Sequence, residues 1–373
     1  MNKFVKRYFI DAMSGMAQGL FASLLVGTII KTLGEVLLKL NVNPVFQFLV
    51  DAGLFCSNVK VVGAAMACGI GFAMGAHNLV LFSLVTVGAV ANELGKAGGP
   101  LAVLIIAIAA CELGMLVSKK TKVDILVTPL VTILSGILLS VLFAKYIGIA
   151  ANWVGNLIKL TTELHPFVMG ILVSVIVGIA LTLPISSAAI CAALGLTGLA
   201  GGAAVAGCCA QMVGFAFLSF KENGWGGIVS QGLGTSMLQM PNIIKNPKVW
   251  IPPILASAIT GPVATCIFKL QMNGAAVSSG MGTCGFVGQI GVISGWFSPS
   301  EKAVEWAIKK IGNEALTASD IAINPGFMDW FGLLMVCFVL PAVISWAFGK
   351  LFRKINWIKD GDLTLSGIFF INF

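Results

Sequence analysis

Apolar runs close to the length of a bilayer crossing follow one another along the chain, separated by short polar or glycine-broken stretches. A hydrocarbon core about 30 Å thick needs roughly twenty apolar residues per helical crossing. The first such run covers 10–30, and Lys3, Lys6 and Arg7 precede it with no small-residue cleavage site, so it reads as an uncleaved first helix. The less apolar segment 31–58, with Lys31, Glu35, Lys39 and Asp51, is expected at the interface or packed on other helices. Residues 61–92 are too long for one crossing and are interrupted by Gly75-Ala76-His77-Asn78, so two elements are expected to meet there. Spans follow at 100–117 and 125–146 with Lys119, Lys120 and Lys122 between them, and an amphipathic connector with Trp153 and Lys159 leads to His165-Pro166.

An apolar run at 167–183 is stopped by Pro184, and a Gly/Ala-rich stretch covers 188–219. Segment 224–243 is polar and glycine-broken, and reads as re-entrant rather than spanning. Pro252 and Pro253 open a span at 250–268, and the glycines of 273–297 predict backbone that is partly unwound or hairpin-like, tolerated only where protein or a wet cavity covers it. Ser298-Pro299-Ser300-Glu301 reads as a capping box with proline at the first helical position, opening a short amphipathic helix. The last span is 328–349; the apolar end 366–373 is too short to cross and is assigned no role. The pattern predicts an all-α polytopic membrane protein with about ten transmembrane helices, some broken or re-entrant. Basic clusters at 3–7, 119–122 and 350–359 place both ends on the cytoplasmic side.

Composition agrees. With 58% hydrophobic residues, 10% charged and mean hydropathy +0.98, the chain lies far from soluble proteins, in which about a quarter of residues are charged. A β-barrel would alternate polar and apolar residues, and this chain does not. The net charge of +8 is explained by lysines and arginines flanking spans against anionic lipid headgroups, and no basic aromatic surface points to nucleic acid. Nine cysteines lie mostly in apolar or small-residue runs without CxxC or Cys/His spacing, so no disulfide framework, metal site or cofactor is expected. No G-x-x-x-x-G-K-[ST] loop is present, no catalytic residue is identified, and any catalytic or regulatory module is expected on another polypeptide.

Laying residue 19 on residue 170 aligns Gly19, Ser23, Val26 and Gly27 with Gly170, Ser174, Val177 and Gly178. At a nearby offset Gly63, Ala64, Ala65, Ala67 and Gly75 align with Gly202, Ala203, Ala204, Ala206 and Gly214. This suggests a first transmembrane half, 1–160, a second, 161–358, and a tail, 359–373. If each half has five spans, the two are inverted, and transporters built so place substrate at broken helices. Candidate solute-binding groups are His77 and Asn78 at the first break, Ser186 and Ser187 after Pro184, Gln211, and then Gln231, Thr235, Gln239, Asn242, Thr283 and Gln289. Amides and hydroxyls both donate and accept, which suits a neutral polar solute; the same groups also tie helices together in bundles. His165 reads as structural, and Glu112 and Asp124 as interfacial partners of Lys119 to Lys122.

The stretches LTLPISSAAICAALGLTGLAGGAAVAGCCAQMVGFAF, QGLGTSMLQMPNIIKNPKVWIPPILAS and SSGMGTCGFVGQIG resemble the EIIC-type permeases of the phosphoenolpyruvate-dependent sugar phosphotransferase system, in the family that includes the perfringolysin regulator. The resemblance covers 5–358. It implies a sugar-translocating permease of the bacterial inner membrane, working by alternating access with separate cytoplasmic EIIB and EIIA proteins, with a homodimer among the assemblies expected. The Gly-Ile-Thr-Glu-Pro type sequence that supplies a glutamate near the sugar in other EIIC permeases is missing here. A membrane sensor that regulates gene expression and an ion-coupled carrier remain alternative readings.

Overall fold

A computed structural model describes residues 3–39, 43–312 and 316–365; the apolar end 366–373 lies outside them. The described residues divide into two compact units, those up to 152 together with 240–245, and those of 153–239 together with 246 onward.

Unit 1 begins with α1 (Lys3–Leu38), followed by the bent pair α2 (Pro44–Cys56) and α3 (Val59–Ala73), which meet at 59°. α4 (Asn78–Gly95) and α5 (Gly99–Val117) come next. Although Asn78–Val117 is helical nearly throughout, it doubles back where Lys96 takes φ +48, so that Gly114 on α5 faces Val80 on α4. Close approach of backbones holds the unit together. A Cβ at Gly15 or Gly19 of α1 would run into the carbonyls of Gly69 or Ala65 on α3, and one at Gly63 into that of Gly88 on α4. Small residues four apart give such contacts in bilayers, where dispersion rather than water release drives helix association. Arg7 on α1 pairs with Glu112 on α5 at 2.8 Å. Glu112 is therefore not held by the lysines of 119–122, because the hairpin turns its carboxylate toward α1. Asp124 does cap that turn, but through the backbone N–H of Lys119 at 2.7 Å rather than an ammonium.

α6 (Asp124–Thr161) is one helix of 38 residues, about 57 Å long. The connector expected after 146 is simply its continuation, since the amphipathic pattern there keeps a helical period and no proline interrupts it.

Unit 2 is arranged around α9 (Gly198–Leu218), whose residues are almost all buried. α7 (Pro166–Thr182), capped by His165, ends before Pro184, which leaves Leu183 extended. α8 (Ser187–Leu194) is a short helix closed by left-handed Gly195, so the run 188–219 is two helices and not one. α7, α10 (Pro247–Ile267) and α13 (Phe327–Lys354) pack directly on α9. A Cβ at Gly207 of α9 would collide with the carbonyl of Ser174 on α7, and one at Gly170 of α7 would meet that of Gly261 on α10. The helices that the internal alignment pairs thus make corresponding contacts, α1 on α3 in one unit and α7 on α9 in the other. Irregular backbone falls where the glycines predicted it. Ile228–Gly234 is a wide π-helical turn, and 3-10 turns at Ala276–Gly280 and Cys284–Phe286 precede α11 (Val287–Phe297).

α12 (Glu301–Ile311) is capped by Ser300, whose Oγ accepts from the Ala303 N–H. Ser298 is not the cap and Pro299 precedes the helix, because the chain is still extended at Ser300. Among the described residues six helices are long and apolar enough to cross a membrane, or seven if the bent pair is one span. Ten is not reached by that measure, because Asn78–Val117 counts once and the apolar Pro166–Thr182 and Cys284–Phe297 are shorter than a full crossing. The chain is a multi-pass, all-α membrane protein.

Candidate functional site

Among the described residues every fully buried polar side chain is Ser, Thr, Asn or Gln. In unit 2 these gather in three groups along α9. The first centres on Gln211, which is fully buried. Its Oε1 accepts from Trp250 Nε1 at 2.8 Å and from Thr182 Oγ1 at 3.2 Å, and its Nε2 donates to Ser257 Oγ at 3.2 Å. Thr182 also meets Ser236 Oγ at 2.8 Å, and Ser174 donates to the Ser257 carbonyl at 2.7 Å. Helices α7, α9 and α10 are joined through one amide.

The second group lies at the end of α9. Gln231 donates to Ser219 Oγ at 2.8 Å and accepts from Gln239 Nε2 at 2.8 Å. Gln239 also donates to the Leu363 carbonyl at 3.0 Å, and Asn223 grips the same segment, donating to Leu363 O at 2.9 Å and accepting from Leu365 N at 3.0 Å. Residues 357–365 are thereby strapped onto the unit, with Ile358, Leu363 and Leu365 buried.

The third group joins the irregular segments. Ser187 Oγ donates to the Gly280 carbonyl at 2.8 Å, and Thr283 Oγ1 donates to the Gly232 carbonyl. Gln289 Nε2 reaches Cys209 Sγ at 3.3 Å, while its buried Oε1 has no partner. Ser186 caps α8 by accepting from Ala189 N, and Thr235 accepts from Met237 N. Eight of the sequence candidates therefore lie in unit 2, and there Gln211, Gln231 and Gln239 are knit into networks.

The other three candidates belong to unit 1. His77 Nδ1 lies 3.0 Å from Ser118 Oγ, Asn78 is exposed at the start of α4, and Asn242 is buried in the short helix Met240–Lys245. His165 caps α7 through its Nδ1, as a structural residue does.

Sequence reading missed Thr182, Trp250 and Ser257. A tryptophan just inside a proline-led helix start was the available signal, since a buried indole N–H needs an acceptor. It also missed a cavity of about 840 Å³ in unit 2 bordered by His165, Lys269, Gln271, Asn273, Trp306 and Asp320.

Comparison with protein families gives one finding, a match of residues 10–365 to the model described as Phosphotransferase system, EIIC. No curated protein and no solved structure matches.

Proposed function

The chain belongs to the EIIC family of phosphotransferase systems, and from that premise we propose that it carries a sugar across the bacterial inner membrane by alternating access, with separate EIIA and EIIB proteins supplying the phosphoryl group. The observation that carries this reading is the chemistry of unit 2, in which glycine-broken backbone is covered by neutral amides and hydroxyls on α9 and the segments around it. Such groups suit an uncharged polyol. Each sugar hydroxyl donates and accepts, so it can pair with the unpartnered Oε1 of Gln289 and exchange hydrogen bonds with Gln211 or Thr283. Ser186, Ser187, Gln231, Thr235 and Gln239 are the other candidate groups in the same unit.

The test is uptake of a panel of labelled hexoses and hexitols by vesicles containing the chain, with and without phosphoenolpyruvate and the cognate phosphocarriers. Uptake that needs both supports the proposal. Accumulation on an ion gradient alone replaces it with a coupled carrier, and binding without movement replaces it with a sensor.

A further inference from the structure

Trp306 stands at the wall of the 840 Å³ cavity, which lies within the range of about 300–1,000 Å³ usual for small-molecule sites. The cavity is built by main-chain hydrogen bonds. After α10 the chain turns at Lys269, a non-glycine residue with φ +47, a conformation kept only where the surroundings impose it. Met272 then exchanges two backbone hydrogen bonds with Gly198, at 2.9 and 3.0 Å. The carbonyls of Asn273 and Gly274 accept from Ser300 N at 2.8 Å and Ser300 Oγ at 2.7 Å, which fixes the start of α12 against the loop.

This frame places the indole. Its benzo edge lies against Gly198, where an added Cβ would come within 2.7 Å of Cζ3 and where φ is +63. Around the ring the cavity presents Gln271, Asn273, Thr265 and Asp320. Hydrogen bonds from the Thr317 hydroxyl and N–H hold the Asp320 carboxyl below the usual carboxylate range, so it is an acceptor at neutral pH. Asn273 donates to Gln271 and Thr317 to Asp320, and a wholly apolar ligand would cut the remaining donor and acceptor capacity of these groups off from water, at a cost. A ligand with a net charge of either sign would face one of Lys269 and Asp320 as a like charge. What remains is a neutral molecule with one apolar face and a hydroxyl-bearing rim.

We propose that this cavity binds a pyranose ring stacked on Trp306, with its hydroxyls met by Gln271, Asn273 and Asp320. The inference rests on the permease reading and deepens it by giving the sugar a second, peripheral station apart from the α9 amides.

The cavity carries its own reporter, since Cys266 lines it and is exposed. The experiment follows alkylation of Cys266 by N-ethylmaleimide in the detergent-solubilised full chain, by peptide mass spectrometry, with the half-exposed Cys56 and Cys68 as internal references. The probes are D-glucose, N-acetyl-D-glucosamine, D-mannitol and glycerol. At least one pyranose is expected to slow labelling of Cys266 threefold or more while Cys56 and Cys68 are unchanged. Trp306→Leu and Gln271→Ala, the second of which removes only a half-buried amide, are each expected to abolish that protection. A Cys266 that never reacts, protection by no pyranose, or protection that survives both substitutions overturns the site. The two readings fail separately. A sugar that is taken up but leaves Cys266 unprotected removes this station and leaves the permease standing, whereas protection without uptake keeps the station and removes transport.

Discussion

The buried Oε1 of Gln289 has no partner, an arrangement that costs about 1–3 kcal/mol. Its neighbour Cys209 satisfies only the amide nitrogen, and weakly. If the carbonyl is there to meet solute, Gln289→Met, which keeps the volume and removes the polar atoms, should leave thermal stability equal or higher while lowering sugar uptake about tenfold or more. Unchanged uptake with higher stability would make Gln289 a structural defect and nothing else. Gln211 behaves oppositely. Removing its amide orphans Trp250 Nε1 and takes one partner each from Thr182 Oγ1 and Ser257 Oγ, which keep Ser236 and the Pro253 carbonyl, so Gln211→Ala should destabilise by about 1–3 kcal/mol as well as weaken solute binding. Both effects are measurable on one preparation, by thermal unfolding and by equilibrium binding of labelled sugar. Both residues were visible in the sequence as amides in an apolar run. Which of the two is satisfied was not, because that depends on Trp250 and Ser257, 39 and 46 residues away.

At the scale of elements, helices with a clear punctuation signal were legible. Pro166 and Pro184 bracket α7, Gly75 to Asn78 separates α3 from α4, and the glycines of 273–297 unwind the chain ahead of α11. What could not be read were features set by distant partners. The bend at Lys96 needs α4 and α5 to pack, and the strap 357–365 needs Asn223 and Gln239, more than a hundred residues earlier. The strap gives its own prediction. Asn223→Ala removes two of its hydrogen bonds, each worth about 0.5–1.5 kcal/mol, so cleavage by a protease within 356–365 should rise roughly tenfold. An unchanged rate would show that the buried Ile358, Leu363 and Leu365 hold the segment unaided. Lys221, 2.8 Å from Asp360, holds that carboxyl below the usual range. A depressed folded-state value means that the pair helps docking above the ordinary Asp titration near pH 3.9 and that its help is lost as pH falls through the folded value. Protection of the strap should therefore be flat from pH 5 to 7 and weaken only in stronger acid, modestly, since both side chains are mostly exposed and screened.

For the whole molecule the question is what drives the solute. A carrier coupled to protons or sodium needs an ionisable group that changes charge or coordination within the membrane, and such groups in spans are costly and rarely without a role. Here the buried polar residues among those described are neutral, apart from the Glu222 carboxylate, which is buried against Arg353. The charged side chains pair elsewhere, Arg7 with Glu112 and Lys60 with Glu93 in unit 1, and Arg353 with the buried carboxylate of Glu222 just beyond α9 in unit 2. An amide and hydroxyl lining can select a polyol, but it cannot store a proton-motive force. On the permease reading proposed above, the free energy for accumulation would come from trapping the solute after it crosses, by phosphorylation on a partner. The chain in vesicles should therefore equilibrate labelled sugar slowly and to no more than the outside concentration, whatever proton or sodium gradient is imposed and with an initial rate independent of pH between 6 and 8. Adding phosphoenolpyruvate with the complete set of phosphocarriers that relay its phosphoryl group to EIIA and EIIB on the far side should convert the internal label to sugar phosphate and raise its amount above the outside level. Uphill accumulation of unmodified sugar on a gradient would contradict this, and would send the search for a coupling residue to His77, the one histidine whose ring is engaged with a second helix by the Ser118 hydrogen bond at the end of α5.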